Sequence, residues 1–185
     1  MKKLFVLALC AAMYACAPKT SSESVQVNQH GTEWTWNDGT IVVKSPEREA
    51  GQKSVLGLAL PKMESVRVGF VGLGMRGPGA VERFTHIPGT QIVALCDYEK
   101  ERAENCQKYL ERASMPEAAV YYGEKGYEEL CKRDDIDLVY VATDWLHHFP
   151  VAMCALENGK NVAIEVPSAM NLEECWSLVN MSEKM

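Results

Sequence analysis

Several features that would assign a chemistry at once are missing from this chain. It has no CxxC pair and no histidine with a partner at metal-ligand spacing, so a zinc centre is not expected and no metal site is assigned. There is no surplus of positive charge: the 185 residues carry a formal net charge of -6, so nothing draws the chain to nucleic acid. No internal repeat or low-complexity tract stands out, and no twin-arginine signal is found. The longest early apolar run, Leu4 to Ala12, is too short to span a bilayer. What remains is an ordinary globular composition, 47% apolar and 24% charged, with length for one good core and an appendage but not for two full enzyme domains.

The short apolar run does suit a signal-peptide core. Lys2 and Lys3 precede it, and small residues and Cys16 follow. "MYAC" resembles a loose bacterial lipobox, with Met13 where leucine is usual, and a polar stretch "KTSSESVQ" comes after. The expectation is a signal peptide over 1–15, lipid on Cys16 and export as a bacterial membrane-anchored lipoprotein, periplasmic or at the cell surface. The lipid would be its only membrane contact. Removing the two lysines takes the net charge from -6 to -8. Of seven cysteines, Cys10 leaves with the signal and Cys16 carries lipid. Cys96, Cys106, Cys131, Cys154 and Cys175 remain, an odd number that reads as small buried hydrophobes rather than a disulfide framework.

Residues 16–64 read as a tether, a β-hairpin and a linker. The hairpin is "TEWTWNDGTIVVK", with alternating Trp34 and Trp36, a turn at Asn37-Asp38-Gly39 and a return through Ile41, Val42 and Val43. The tryptophans fit either packing against the main domain or sugar binding. Residues 65–185 alternate strand and helix. Strands are predicted at Val66 to Val71, Gln91 to Cys96, Val120 to Tyr122, Asp137 to Ala142 and Asn161 to Glu165. Helices are predicted at Gly77 to Thr85, Glu99 to Ala113, Glu124 to Lys132, His148 to Asn158 and Asn171 to Lys184, the last with Asn171 as N-cap and Glu174 three residues on. This alternation predicts an α/β fold, a doubly wound parallel sheet of Rossmann type.

"VGFVGLGMRGPGAVERF" supplies the sharpest local signal. Gly72, Gly74 and Gly77 fit G-x-G-x-x-G between a strand and a helix, and Asp97 ends the next strand. Gly72 permits the turn, Gly74 leaves room for a pyrophosphate, and Gly77 lets helix and strand pack closely. The helix N-terminus offers free N–H groups to phosphate, with Arg76 as an added charge. Asp97 can accept both ribose hydroxyls and would repel a 2′-phosphate, so NAD is expected over NADP. Two further segments fall at carboxyl ends of strands, "ATDWLHHFP" and "AIEVPSAM". His147 and His148 are possible acid–base groups or else surface or capping histidines. Glu165 is either a nicotinamide-side residue or a solvated loop acid.

"RVGFVGLGMRG", "IVALCD", "DIDLVYVAT" and "GKNVAIEVP" together resemble the N-terminal half of the Gfo/Idh/MocA oxidoreductases, the glucose–fructose oxidoreductase and inositol dehydrogenase family. That family's dehydrogenases usually read Glu-Lys-Pro where this chain has Glu165-Val166-Pro167, and the lysine assists proton transfer. The variant "GLGMRGPGAVERFTHIPGTQIVALCD", with W-x-x-H and EVP, is similar to glycoside hydrolase family 109, the NAD-dependent α-N-acetylgalactosaminidases. The resemblance implies hydrolysis of a terminal α-N-acetylgalactosamine by transient oxidation at C3, elimination across C2, addition of water and return of the hydride. A cofactor regenerated in each cycle need not exchange with a cytoplasmic pool, which bears on export. It also implies cofactor contacts from Met75, Arg76, Asp97, Trp145, Leu146, His147, His148, Glu165 and Val166, beside Gly72, Gly74 and Gly77. The family's substrate and catalytic residues lie largely in a C-terminal half, so the chain reads as a fragment lacking its substrate domain and inactive alone. His148 is the one catalytic candidate in it. The alternatives are an NAD-dependent sugar or cyclitol dehydrogenase and a non-enzymatic nucleotide-binding lipoprotein.

Overall fold

The computed structural model describes residues 24–29 and 32–185. The expected signal peptide and Cys16 lie outside the described residues. Two compact units divide the chain, one up to Lys44 and one from Ser45 to Met185.

The first unit is a three-stranded antiparallel sheet of β1 (Gln26–Val27), β2 (Glu33–Asn37) and β3 (Thr40–Val43). Trp34 pairs with Val43 and Trp36 with Ile41. Asp38 and Gly39 both have positive φ, 44° and 79°, the conformation of the two-residue turn whose twist matches a hairpin. Trp36 is exposed on this sheet.

The second unit is built on β4 (Val66–Val71), α1 (Gly77–Phe84), β5 (Thr90–Asp97), α2 (Lys100–Arg112), β6 (Ala119–Tyr122), α3 (Gly126–Cys131), β7 (Leu138–Val141), α4 (Trp145–Glu157), β8 (Asn161–Ile164) and α5 (Leu172–Lys184). All five strands are parallel, in the order β6-β5-β4-β7-β8. The chain winds one way from β4 to β6, then returns to the other side of β4 for β7 and β8. This is the Rossmann arrangement, and it opens a crevice at the carboxyl ends of β4 and β7.

Alternation along β4 explains the two-sided core. Val68 and Phe70 face α1 and α2, in a cluster with Leu73, Val81, Leu95 and Leu110. Val71 faces the other way, with Leu130, Val139, Val141 and Val151 beneath α3 and α4. Gly69 lies on that second face, where a Cβ would come within 3.0 Å of both Ile136 and Leu130, so its lack of a side chain lets α3 close on the sheet. Cys96, Cys106 and Cys131 are buried in these clusters. Burial pushes the Cys96 thiol up to about 12 and the Cys106 thiol to about 11, so both are protonated packing groups at neutral pH.

Two helix starts differ from the sequence reading by more than one residue. The expected helix at His148 begins at Trp145, because Asp144 caps it: its Oδ1 accepts the Leu146 N–H at 2.9 Å. Pro150 then lies inside the helix rather than in its first turn. Helix α3 starts at Gly126, after Glu124. Residues 45–64, read as a linker, fall in the same compact unit as the five-stranded sheet. Gln52 donates to the Asn180 carbonyl at 3.1 Å, the Lys53 N–H donates to the Glu183 carbonyl, and Arg48 pairs with the buried Glu183 carboxylate at 3.0 Å, so this stretch is strapped to α5. Asn171 does cap α5, accepting the Glu174 N–H at 2.8 Å, while Glu174 accepts the N–H of Met170, one residue further out than the usual reciprocal box.

The sheet's far end is clamped by Arg67 and Asp137. The guanidinium meets both carboxylate oxygens, at 2.9 and 2.6 Å, the Arg67 N–H donates to Asp137 Oδ2 at 2.9 Å, and the Asp137 N–H donates to the Arg67 carbonyl. The Arg67 side chain holds the Asp137 carboxyl below its ordinary value, against a smaller opposing effect of burial. A depressed carboxyl stabilises the fold above the unfolded value, about pH 4, and that stability is lost as pH falls through the folded value. Asp137→Asn is expected to lower the melting temperature at pH 6 and to converge on the unmodified chain toward pH 3. A gap that stays constant across thermal melts from pH 6 to 3 would refute this.

Candidate cofactor cleft

The turn after β4 is set by contacts that side chains would destroy. Gly72 has φ 93°, and its N–H donates to the Cys96 carbonyl at 2.9 Å. A Cβ on Gly72 would stand 2.4 Å from the Thr143 nitrogen, and one on Gly77 would stand 1.9 Å from the Gly72 oxygen. Gly74 differs: the nearest atom to an added Cβ is Arg102 Nη1, at 3.7 Å. The three glycines thus divide the work as their spacing predicts. Two allow close packing of backbone, and the third leaves the approach to the turn open. Helix α1 begins at the last of them, Gly77, with Pro in its first turn, no acidic residue there and no side-chain cap, so its amino end remains available to an anion.

This turn forms one wall of an open cleft of about 1350 Å³. Gly72, Gly74, Met75, Arg76, Asp97, Trp145, Leu146, His147, His148, Glu165 and Val166 all line it, and Gly77 packs behind. The structure therefore gathers the residues singled out in sequence into one site. Met75, Arg76, Trp145, Leu146 and Val166 are exposed along it, and Val166, at 80% exposure, offers only methyl groups where a proton carrier was considered.

Three of these residues make contacts that the sequence did not show. Asp97 is only 6% exposed, and its carboxylate is already engaged: Oδ2 accepts the Leu73 N–H at 2.6 Å and Oδ1 the Glu99 N–H at 3.0 Å. It fastens the glycine turn to the start of α2. His148 is not a surface histidine. It is 2% exposed, and its Nδ1 donates to the Pro167 carbonyl at 2.7 Å. That bond fixes the ring and leaves Nε2 buried without a partner. Glu165 is not a free loop acid, because Tyr140 donates to its Oε1 at 2.7 Å. Burial, aided by that carboxylate, pushes the Tyr140 phenol up, so it stays a donor.

His147 behaves as a capping histidine. It is exposed, with Nδ1 2.6 Å from Asp144 Oδ2. Burial pushes the Asp144 carboxyl up, but the His147 imidazole and the Leu146 N–H outweigh it and hold the group below its usual range. Sequence reasoning missed Arg83, Arg102 and Tyr140. Arg83 and Arg102 line the cleft, and Tyr140 reaches Glu165 from β7. Asp144 was legible, as an aspartate directly before an apolar helical stretch.

Comparison with known proteins agrees with this geometry. A family profile described as an oxidoreductase family with an NAD-binding Rossmann fold matches residues 66–185. The chain is 72% identical to glycosyl hydrolase family 109 protein 4 of Phocaeicola vulgatus over 99% of its own length and 35% of that protein. It is 54% identical to glycosyl hydrolase family 109 protein 1 of Bacteroides fragilis, covering 99% of this chain and 37% of the relative. It thus spans little more than a third of these relatives. Among solved structures, myo-inositol dehydrogenase from Lactobacillus casei in complex with NAD(H) and myo-inositol superposes with a TM-score of 0.57 at 28% identity, over 65% of this chain and 34% of that one.

Proposed function

This chain belongs to the Gfo/Idh/MocA oxidoreductase family and carries its NAD-binding Rossmann domain, and from that premise we propose that it is the cofactor-holding part of a glycosidase acting on terminal α-N-acetylgalactosamine. The observation that carries the reading is Val166. It stands exposed on the cleft beside Glu165 and cannot relay a proton, so a simple alcohol dehydrogenation through a lysine at that place has no counterpart here. The identity to proteins named glycosyl hydrolase family 109 supports the same reading.

Bound NAD supplies a hydride acceptor that is restored within each turnover. The residues of this chain bind and orient it. The glycine turn and the open end of α1 take the pyrophosphate, and Trp145 and Leu146 give the nicotinamide end an apolar rim that excludes water. Glu165, held by Tyr140, presents a fixed carboxylate beside that end. His148 is held in place by the bond from Nδ1 to Pro167, which leaves its Nε2 without a partner on the protein.

One wall does not confine a sugar. Holding the reacting carbon about 3–3.5 Å from the nicotinamide supplies much of the rate, roughly 10⁵-fold or more. The test compares the 185-residue chain with the same chain joined to the C-terminal part of its 72%-identical relative. Only the joined form is expected to release sugar from an aryl α-N-acetylgalactosaminide, with bound NAD required and none consumed. Clear turnover by the chain alone would show that the active site lies within it. NADH accumulating in step with substrate would make the protein a dehydrogenase instead.

A further inference from the structure

The irregular stretch between β3 and β4 contains "SVLGLALP", residues 54–61, with no charge between Lys53 and Lys62. A flexible linker is polar, and this run is not. The Leu58 N–H donates to the Val55 carbonyl at 3.0 Å and Gly57 has φ 77°, so a β-turn carries Leu56 at its corner. The side chains are left in solvent: Leu56 is 92% exposed, Leu58 63%, Leu60 53% and Met63 42%. Single exposed leucines are ordinary, but a contiguous run of them marks a surface that binds something. None of the four lines the cofactor cleft.

Its anchorage indicates the occupant. Arg48, Gln52 and Lys53 tie the start of this run to Asn180 and Glu183, in the last turns of α5. Relatives that match 99% and 98% of this chain are spanned by it to only 35% of their length. A C-terminal part like theirs, continuing from α5, emerges beside the leucines. A second copy fits less well. A stable interface between separate proteins takes about 20–30 residues a side, far more than this run offers. A part joined through α5 is already held at high effective concentration, so a small apolar contact suffices.

We propose that residues 55–63 are a docking surface for the C-terminal part of the protein, with Leu56, Leu58 and Leu60 packed into an apolar face of it. The strap then braces α5 against that part. The surface lies outside the cleft, and the inference holds whichever cofactor or sugar the protein takes.

Hydrogen exchange of the backbone amides of residues 54–60 tests it in three proteins. These are the 185-residue chain, the same chain joined to the C-terminal part of its 72%-identical relative, and that full-length relative at the aligned positions. Exchange should be about tenfold slower or more in both longer proteins than in this chain. In the joined chain, Leu56→Asp, Leu58→Asp and Leu60→Asp together should restore fast exchange. In the 185-residue chain the same triple variant should move the melting temperature by less than about 2 °C, because the replaced side chains are exposed. If the joined chain does not fold, the full-length relative decides. Equally fast exchange in this chain and in that relative would overturn the proposal. So would slow exchange in this chain that depends on its concentration, which would make a second copy the occupant. A triple variant that melts well below the 185-residue chain would also overturn it, by showing the leucines packed on this chain itself. Neither measurement uses a dinucleotide, so failure of the cofactor reading is read separately.

Discussion

Gly77→Ala is expected to abolish dinucleotide binding and to destabilise the fold by about 3 kcal/mol, the upper end of what overpacking costs. The added Cβ would lie 1.9 Å from the Gly72 oxygen and 2.9 Å from its carbonyl carbon, which are backbone atoms and not a flexible side chain. Gly72 has no room to retreat. It is bonded to the Cys96 carbonyl, and it sits at φ 93° against Ala142 and Thr143. The clash can be relieved only by lifting α1 from the turn, which also removes its amino end from the phosphate position. Gly159→Ala is the control. Gly159 also has positive φ, 72°, but nothing lies within 4 Å of an added Cβ, so the cost should be about 1–2 kcal/mol of backbone strain, with binding intact. Urea melts and NADH fluorescence titrations measure both quantities. A Gly77→Ala chain that melts with the unmodified protein would refute the packing argument.

Asp97→Ala should also lower stability by about 3 kcal/mol, because the Leu73 N–H is left buried without an acceptor and a second charge-assisted bond, from Glu99, is lost. Affinity for NAD should fall as well, since the turn that holds it comes loose. An Asp97→Ala chain of unchanged stability that binds NAD less tightly would show instead that the carboxylate acts purely as a ribose ligand.

Much of this was legible along the chain because the signals are local. The glycine spacing, the apolar runs of β4 and β7 and the Asn171 cap each lie within a few residues, and the sheet order follows from the alternation of elements. The start of α4 was placed late because Pro150 fits a first helical turn, while the cap at Asp144 moves that turn to Trp145. The contacts of Asp97, Tyr140 and His148 were not legible for a different reason. They are fixed by partners on other elements: Leu73 for Asp97, Glu165 for Tyr140 and Pro167 for His148. No pattern within one helix or strand reports a burial that depends on where another element lands.

The glycine turn has a kinetic side as well. Its close neighbours come from both flanks of β4: Cys96 at the end of β5, near in sequence, and Ala142 and Thr143 just after β7, far along the chain. Contacts between distant segments form late, because a long loop must close before they repay its entropy. The phosphate cradle is therefore complete only when the second half of the sheet has docked onto β4. A chain that has folded only its first strands exposes the glycine motif without owning the pocket, so cofactor capture reports the end of folding rather than its beginning.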